Sequence, residues 1–196
     1  MCKLQAQAWS FLFAILLPAA TTLPVFYVSN QRGSCGSSVL CEEVSMATMH
    51  VIPKVGFSQG LGIERGGRCV ATVSFQWFTG AAKLTIGSQI YAIRQHQRGL
   101  CSSLLQSGNE TVACAQGRRT LFCQYCTIDH GGRTYRIEAQ SAFGKRLVLR
   151  EGAEYVGYME PEHLFTRKRI ACLPACLPLA VQVFVIVVAM RLWTEP

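Results

Sequence analysis

The stretch that decides the fold is Leu173–Trp193, which reads LPACLPLAVQVFVIVVAMRLW. It follows the basic triplet Arg167, Lys168 and Arg169, and the chain before it consists of short apolar segments. A run of about 20 uncharged residues is long enough to be a transmembrane helix. An uncharged helix can equally be buried inside a protein domain. The sequence therefore offers two structures for this run, a membrane span or a helix enclosed by the preceding domain.

The composition indicates a basic protein with few charges. Half of the 196 residues are hydrophobic and 15% are charged, while 19 Lys and Arg against 11 Asp and Glu give a net charge of +8. Such a surplus favours an anionic partner, either lipid headgroups or nucleic acid. The ten cysteines are scattered among apolar neighbours, which is typical of free thiols in a reducing compartment.

The N-terminal part divides into two segments. Residues 1–30 are uncharged from Ala8 to Val28 and predict a hydrophobic leader or membrane anchor, although Pro18 and Pro24 interrupt the run. Residues 31–67 are rich in Gly and Ser and have no clear period, so we expect a flexible linker there.

Residues 68–169 predict a β domain. Tyr135, Ile137 and Ala139 alternate with Arg136 and Glu138, the period of two that marks half-buried strands. About nine short strands separated by glycine turns are typical of an antiparallel barrel or sandwich. The expected strands are Cys69–Phe78, Lys83–Ile86, Gln89–Arg94, Leu100–Leu105, Thr111–Ala115, Leu121–Ile128, Thr134–Ala139, Arg146–Arg150 and Tyr155–Met159.

This region also repeats itself at an offset of 44 residues, which indicates an internal duplication. The matched positions are strand and turn residues of the same kind. They are Phe78 with Phe122, Leu84 with Ile128, Gly87 with Gly131, Tyr91 with Tyr135, Ile93 with Ile137, Leu105 with Leu149, Gly108 with Gly152 and Val112 with Val156.

The duplicated meander, its Tyr-x-Ile strand, the segment Tyr155-Val156-Gly157-Tyr158-Met159 and the final apolar run together resemble the tubby and phospholipid-scramblase superfamily. The resemblance covers about residues 64–196. It implies a closed antiparallel barrel threaded by a C-terminal helix, and by analogy of fold it implies contact with lipid. Two departures stand out, since about nine strands are fewer than a full barrel of that kind has and the final run begins with Pro174 and Pro178.

The apolar run after the β domain, residues 170–196, fits both structures that were set out for it. From Pro178 onward, Leu179–Met190 spans about 18 Å as a helix, short of the roughly 30 Å of a hydrocarbon core. Extending the run back to Ala171 restores a membrane-length segment. We expect a helix that begins near Pro178, packed in the β domain or spanning the membrane.

The basic residues are the candidate site. Arg167, Lys168 and Arg169 cluster beside the last helix, and Lys145 with Arg146 lies in a predicted turn, so we expect these five to bind lipid headgroups. We expect no catalytic residue, metal site or cofactor. Cys123-x-x-Cys126 falls on a predicted strand, where positions three apart face opposite sides.

The expected function is a non-catalytic, membrane-associated module that binds anionic lipid, with its β domain on the cytoplasmic side. Nucleic acid is the less favoured partner, because the aromatic residues lie in apolar runs and not on stacking surfaces. Two alternatives stay open: an integral membrane protein of structural role, anchored by its terminal runs, and a small hydrolase without a recognisable motif.

Overall fold

The computed structural model describes residues 45–54, 60–76, 80–95, 102–119, 124–141, 145–163 and 167–194. These residues contain twelve strands and one helix. The expected leader at 1–30 and Cys123 lie outside them.

The twelve strands form one closed barrel in which each strand pairs antiparallel with its neighbours along the chain, and β1 closes the ring against β12. In chain order the strands are β1 (Met46–Lys54), β2 (Gly60–Arg65), β3 (Arg68–Phe75), β4 (Ala82–Ile86), β5 (Gln89–Gln95), β6 (Ser103–Ser107), β7 (Glu110–Arg119), β8 (Gln124–His130), β9 (Arg133–Ala139), β10 (Leu147–Glu151), β11 (Glu154–Pro161) and β12 (Arg169–Pro174). Helix α1 (Leu179–Thr194) follows the last strand. The predicted β barrel with a C-terminal helix is confirmed.

The barrel is filled by its own last helix. Alternate strand residues point inward, as Met49 and Val51 do on β1, and they form one core with the helix residues. From Val181 to Ala189 every residue of α1 is buried, because strands surround it on all sides. An apolar helix must bury its whole surface, and here the barrel interior provides that burial.

The helix begins where the proline pattern predicts. Leu179 follows Pro178, whose carbonyl accepts hydrogen bonds from Val181 N at 2.9 Å and Gln182 N at 3.0 Å. The buried side chain of Gln182 donates to the carbonyls of Pro174 at 3.0 Å and Leu177 at 2.7 Å, which fastens the turn between β12 and α1. None of the helices within the described ranges has the length and apolarity that a membrane crossing needs.

The sequence repeat has a structural counterpart, and a third copy precedes the two expected ones. A register shift follows Leu105 in the β6–β7 hairpin and Leu149 in the β10–β11 hairpin, and a third follows Ile63 in the β2–β3 hairpin. Each hairpin turns through a glycine with positive φ: Gly66 at 58°, Gly108 at 60° and Gly152 at 60°. Three hairpins are therefore built to the same pattern.

Two expected boundaries are wrong. The predicted linker 31–67 contains β1 and β2, so the barrel begins at Met46 and not at residue 68. Residues 170–174, assigned to the helical segment, belong to β12. These three strands raise the count from about nine to twelve, and they are the strands that close the ring.

Candidate functional site: the basic mouth of the barrel

The two ends of the barrel differ in their connections. At one end, which we call the mouth, paired strand ends meet at Lys54 and Gly60, at Gln95 and Ser103, and equally at the other odd-to-even strand connections. The opposite end, the turn end, carries the tight glycine turns between even and odd strands. Helix α1 starts at the turn end and finishes at the mouth.

The end of α1 is fixed in the mouth by Arg191. Its guanidinium donates to the hydroxyl of Ser103 at 2.6 Å and to the carbonyl of Gly80. Ser103 is fully buried at the start of β6, and Gly80 lies just before β4. A cation in the last turn also complements the negative end of the helix dipole. Arg191 therefore holds the helix against two strands while keeping a positive charge at the mouth.

Charge is distributed unequally between the two ends of the barrel. The comparison counts the described charged side chains that lie within two positions of a strand end, and it adds Arg191 at the end of α1. At the mouth the basic residues are Lys54, Lys83, Arg94, Arg118, Lys145, Arg146, Arg167, Lys168, Arg169 and Arg191, and the acidic ones are Glu138, Glu160 and Glu162. At the turn end the basic residues are Arg65, Arg68, Arg133 and Arg150, and the acidic ones are Glu64, Glu110, Asp129, Glu151 and Glu154. Most of the positive surplus of the described chain is therefore at the mouth.

The acidic residues at the mouth are paired. Glu160 lies 3.6 Å from Arg146, and Glu162 lies 3.6 Å from His50. Glu138 contacts Arg136 at 2.7 Å and Arg150 at 3.1 Å. The arginine contacts neutralise part of the charge of Glu138 and Glu160, and basic residues still outnumber acidic ones at the mouth.

The structure brings all five predicted site residues to the mouth. Strand β11 lies between β10 and β12, and Pro161 pairs with Arg169 while Met159 pairs with Leu147. Lys145 and Arg146, just before Leu147, therefore flank the end of β11 on one side, and Arg167 to Arg169 flank it on the other. Two groups separated by about 20 residues of sequence thus lie about two strand spacings, roughly 10 Å, apart.

Arg169 points into the mouth. It shares the inward phase of β12 with the buried Ala171 and Leu173, and its guanidinium lies over the ring of Trp193 at 4.9 Å from the ring centre. Burial lowers the pKa of Arg169 from its ordinary value. The charge is partly desolvated and held by the last turn of α1. Arg167 and Lys168, by contrast, are exposed.

Arg146 lies on the outer wall. Its guanidinium stacks on Tyr158 at 3.9 Å, donates to the Tyr155 hydroxyl at 3.1 Å and lies 3.6 Å from Glu160. These contacts fix its orientation and neutralise part of its charge. The neighbouring Lys145 is exposed. Of the five predicted residues, Lys145, Arg167 and Lys168 are thus the ones that present charge to solvent, while Arg146 and Arg169 shape the surface around them.

A pocket of about 640 Å³ opens at the mouth between the end of α1 and strands β1–β3. Its lining combines apolar side chains with polar ones, which include Gln76 and Gln95, and its basic groups come from three different elements. The apolar residues are Pro53, Leu61, Phe75, Ala81, Val187 and Met190; the basic ones are Lys54, Arg167, Arg169 and Arg191. No described residue lining the pocket is acidic.

Sequence reasoning missed two of these basic residues. Lys54 lies in the predicted linker, and Arg191 lies at the end of the predicted apolar run. The available signal was strand order, because in an antiparallel meander every second connection lies at the same end. Once β1 and β2 are counted, that rule places Lys54 beside the basic triplet.

Two histidines, His130 and His50, have structural partners. His130 Nδ1 lies 2.8 Å from the Val112 carbonyl, and His50 faces Glu162. Cys126 is buried in the core. Within the described ranges, no three His, Cys, Asp or Glu side chains are grouped so that they could hold a metal ion.

Comparison with known proteins does not assign the chain to a family. No family model matches it, and neither a curated protein nor a solved structure is detectably similar to it. The fold and the site by themselves define a closed twelve-stranded barrel that encloses its own C-terminal helix and has one basic end.

Proposed function

We propose that this protein is a non-catalytic, membrane-associated module that docks on anionic lipid with the mouth of its barrel. The observation that supports this is the unequal charge of the two ends: the mouth collects exposed Lys145, Arg167 and Lys168, and its carboxylates Glu138 and Glu160 are in contact with arginines. Such a distribution orients a protein as it approaches a negative surface. A cytoplasmic location of the barrel is part of the proposal, since anionic lipid is concentrated on that leaflet.

The expected binding energy is moderate. A basic residue close to an anionic bilayer contributes about 1 kcal/mol. Lys145, Arg167 and Lys168 therefore supply about 3 kcal/mol, or roughly a hundredfold in partitioning at low salt, and the other exposed cations of the mouth add to it. This is the energy of reversible docking, which increasing salt weakens because counterions screen exposed charges.

The composition of the connections at the mouth supports the same orientation. The segments 55–59, 77–79, 96–101, 120–123, 142–144 and 164–166 join strands at this end and lie outside the described residues. In sequence they contain no Asp or Glu, and all but 96–101 contain Phe or Trp. Aromatic residues beside basic ones are the composition that favours the membrane interface.

The experiment compares two charge-matched triple variants of the full chain. Lys145→Gln, Arg167→Gln and Lys168→Gln together remove three exposed charges from the mouth. Arg65→Gln, Arg68→Gln and Arg133→Gln remove three from the turn end. Any contribution of residues 1–30 is the same in both. Co-sedimentation with phosphatidylserine-containing vesicles and with pure phosphatidylcholine vesicles is measured at low and moderate salt.

The mouth variant is expected to lose about a hundredfold in partitioning to the anionic vesicles, and the turn-end variant to bind like the natural chain. Equal losses in both variants would mean that net charge alone acts and that the mouth has no special role. Binding that favours single-stranded nucleic acid over anionic vesicles at equal salt would overturn the proposal in favour of the other anionic partner.

Membership of the tubby and phospholipid-scramblase superfamily stays a proposal. Its support is the arrangement of twelve antiparallel strands around a C-terminal helix, which the resemblance implies.

A further inference from the structure

We propose that the pocket at the mouth binds one single-chain anionic amphiphile, such as a fatty acid or a monoalkyl phosphate. The hydrocarbon tail lies between the end of α1 and strands β1–β3, and the acidic group lies at the basic rim. This extends the proposed function from docking on a lipid surface to holding one lipid molecule, and it rests on that function only for the source of the ligand.

The walls of the pocket suit a hydrocarbon chain. The partly exposed apolar side chains of the lining are Pro53 on β1, Phe75 on β3, Ala81 before β4 and Met190 on α1, while Leu61 and Val187 are buried. The volume of about 640 Å³ lies within the roughly 300–1,000 Å³ of pockets that bind small molecules. Where the tail covers these apolar side chains, affinity should rise with each methylene that leaves water.

The charges of the pocket select an acid. Lys54 and Arg167 are exposed at its rim, and Arg169 and Arg191 lie deeper, half-buried. A half-buried guanidinium has lost part of its hydration, so an anion nearby recovers interaction energy that water no longer supplies. An uncharged amphiphile of the same length makes no such charge interaction with these four cations, so it should bind more weakly.

The helix end determines where the acidic group lies. Carbonyl groups in the last turn of α1 carry partial negative charge and disfavour an anion directly over the helix axis. Arg191 already places a positive charge beside that turn, and its hydrogen bonds to Ser103 and Gly80 hold its guanidinium in place. The acidic group therefore belongs on the strand side of the pocket, between Lys54 at the end of β1 and Arg167 before β12.

The test uses the full chain and soluble probes below their micelle concentrations. Octanoate, decanoate and dodecanoate are titrated by calorimetry, with dodecanol and dodecyl phosphate as matched probes of the head group. Affinity is expected to rise about tenfold with each pair of methylenes, and dodecanol to bind at least tenfold more weakly than dodecanoate. Equal affinity for dodecyl phosphate and dodecanoate would show that the pocket recognises the negative charge that both share. A preference for one of them would identify the ligand as a monoalkyl phosphate or as a fatty acid.

Variants separate the tail from the acid. Met190→Trp and Ala81→Leu enlarge half-buried pocket residues, and each is expected to weaken dodecanoate at least tenfold without changing vesicle docking. Two filling variants are used so that loss of folding in one leaves the other. Lys54→Gln with Arg167→Gln is expected to weaken dodecanoate about tenfold and leave dodecanol unchanged, while Arg65→Gln with Arg68→Gln changes neither.

Affinity that does not depend on chain length, or that both folded filling variants leave intact, would overturn the pocket. Vesicle docking without chain-length-dependent binding overturns the pocket alone. Chain-length-dependent binding without vesicle docking overturns the proposed function alone.

Discussion

The guanidinium carbon of Arg169 lies 4.9 Å from the centre of the Trp193 ring, which joins the last strand of the barrel to the last turn of the helix inside it. Both residues are half-buried, so their attraction is less screened than that of a surface pair. A charge and an aromatic ring in this arrangement contribute about 0.5–2 kcal/mol. The contact explains how Arg169, which is predicted to bind a lipid headgroup, also fixes the helix end.

A double-mutant cycle measures this contact. Arg169→Gln, Trp193→Leu and their combination are expected to give a coupling energy of about 1 kcal/mol in urea unfolding. The control cycle pairs Trp193→Leu with Arg68→Gln at the turn end, where the coupling should stay below about 0.5 kcal/mol. Equal coupling in both cycles would show that Arg169 and Trp193 do not interact specifically.

Phe184→Ala tests whether the helix is the core of the barrel. Phe184 is 0% exposed on α1, and removing a buried aromatic ring costs about 3–5 kcal/mol of the free energy of unfolding. Ile90→Ala is the control, since Ile90 is 55% exposed on β5 and its loss should cost less than about 0.5 kcal/mol. A cost below about 1 kcal/mol for Phe184→Ala would contradict a helix enclosed by strands.

Gly157→Ala tests the close approach of β11 and β12. A Cβ at Gly157 would lie 2.7 Å from the carbonyl oxygen of Cys172, closer than van der Waals contact permits. Overpacking of this kind costs about 1–3 kcal/mol. At Gly62 the nearest atom is the Ile52 carbonyl oxygen at 3.7 Å, so Gly62→Ala should be tolerated. Thermal unfolding of the two variants gives the comparison, and a larger loss at Gly62 would refute it.

The stability of the barrel should fall at alkaline pH through Tyr158. A hydrogen bond with the Cys172 thiol, followed by partial burial, raises the pKa of Tyr158 to about 12 from its usual 10. The unfolded chain releases this proton near pH 10 and the folded chain near pH 12, so the free energy of unfolding decreases between those values. Below pH 10 the contribution is fully present.

Tyr158→Phe removes this titration, and its alkaline unfolding curve should lose that part of the slope. Cys172→Ala removes the thiol, so the Tyr158 pKa, followed by phenolate absorbance, should move back towards its usual value. An unchanged phenolate titration in Cys172→Ala would mean that the thiol is not the cause of the shift.

The sequence predicted the helix and most strands because their signals are local. Pro178 marks the first turn, and a run that is apolar on every side must be enclosed. Strands such as β9 show alternation between Tyr135, Ile137 and their charged neighbours. The β1 strand shows it too, at Ala47, Met49 and Val51, but the glycines that follow it led to the assignment of a linker.

The candidate site was predicted only where it is contiguous in sequence. The triplet Arg167, Lys168 and Arg169 is visible as a cluster of charge. Lys54 and Arg191 join it through closure of the barrel, by pairing of β1 with β12 and by the return of α1 to the mouth. No local pattern contains that closure, so the pocket could not be predicted before the strand count was complete.

Hydrogen exchange of the full chain, with and without phosphatidylserine vesicles, tests most directly whether the mouth faces the lipid. Slower exchange is expected at the mouth, in peptides covering residues 143–147 and 163–170. No change is expected at the turn end, in peptides covering 65–69 and 151–154. Protection confined to the turn end, or equal at both ends, would contradict docking through the mouth.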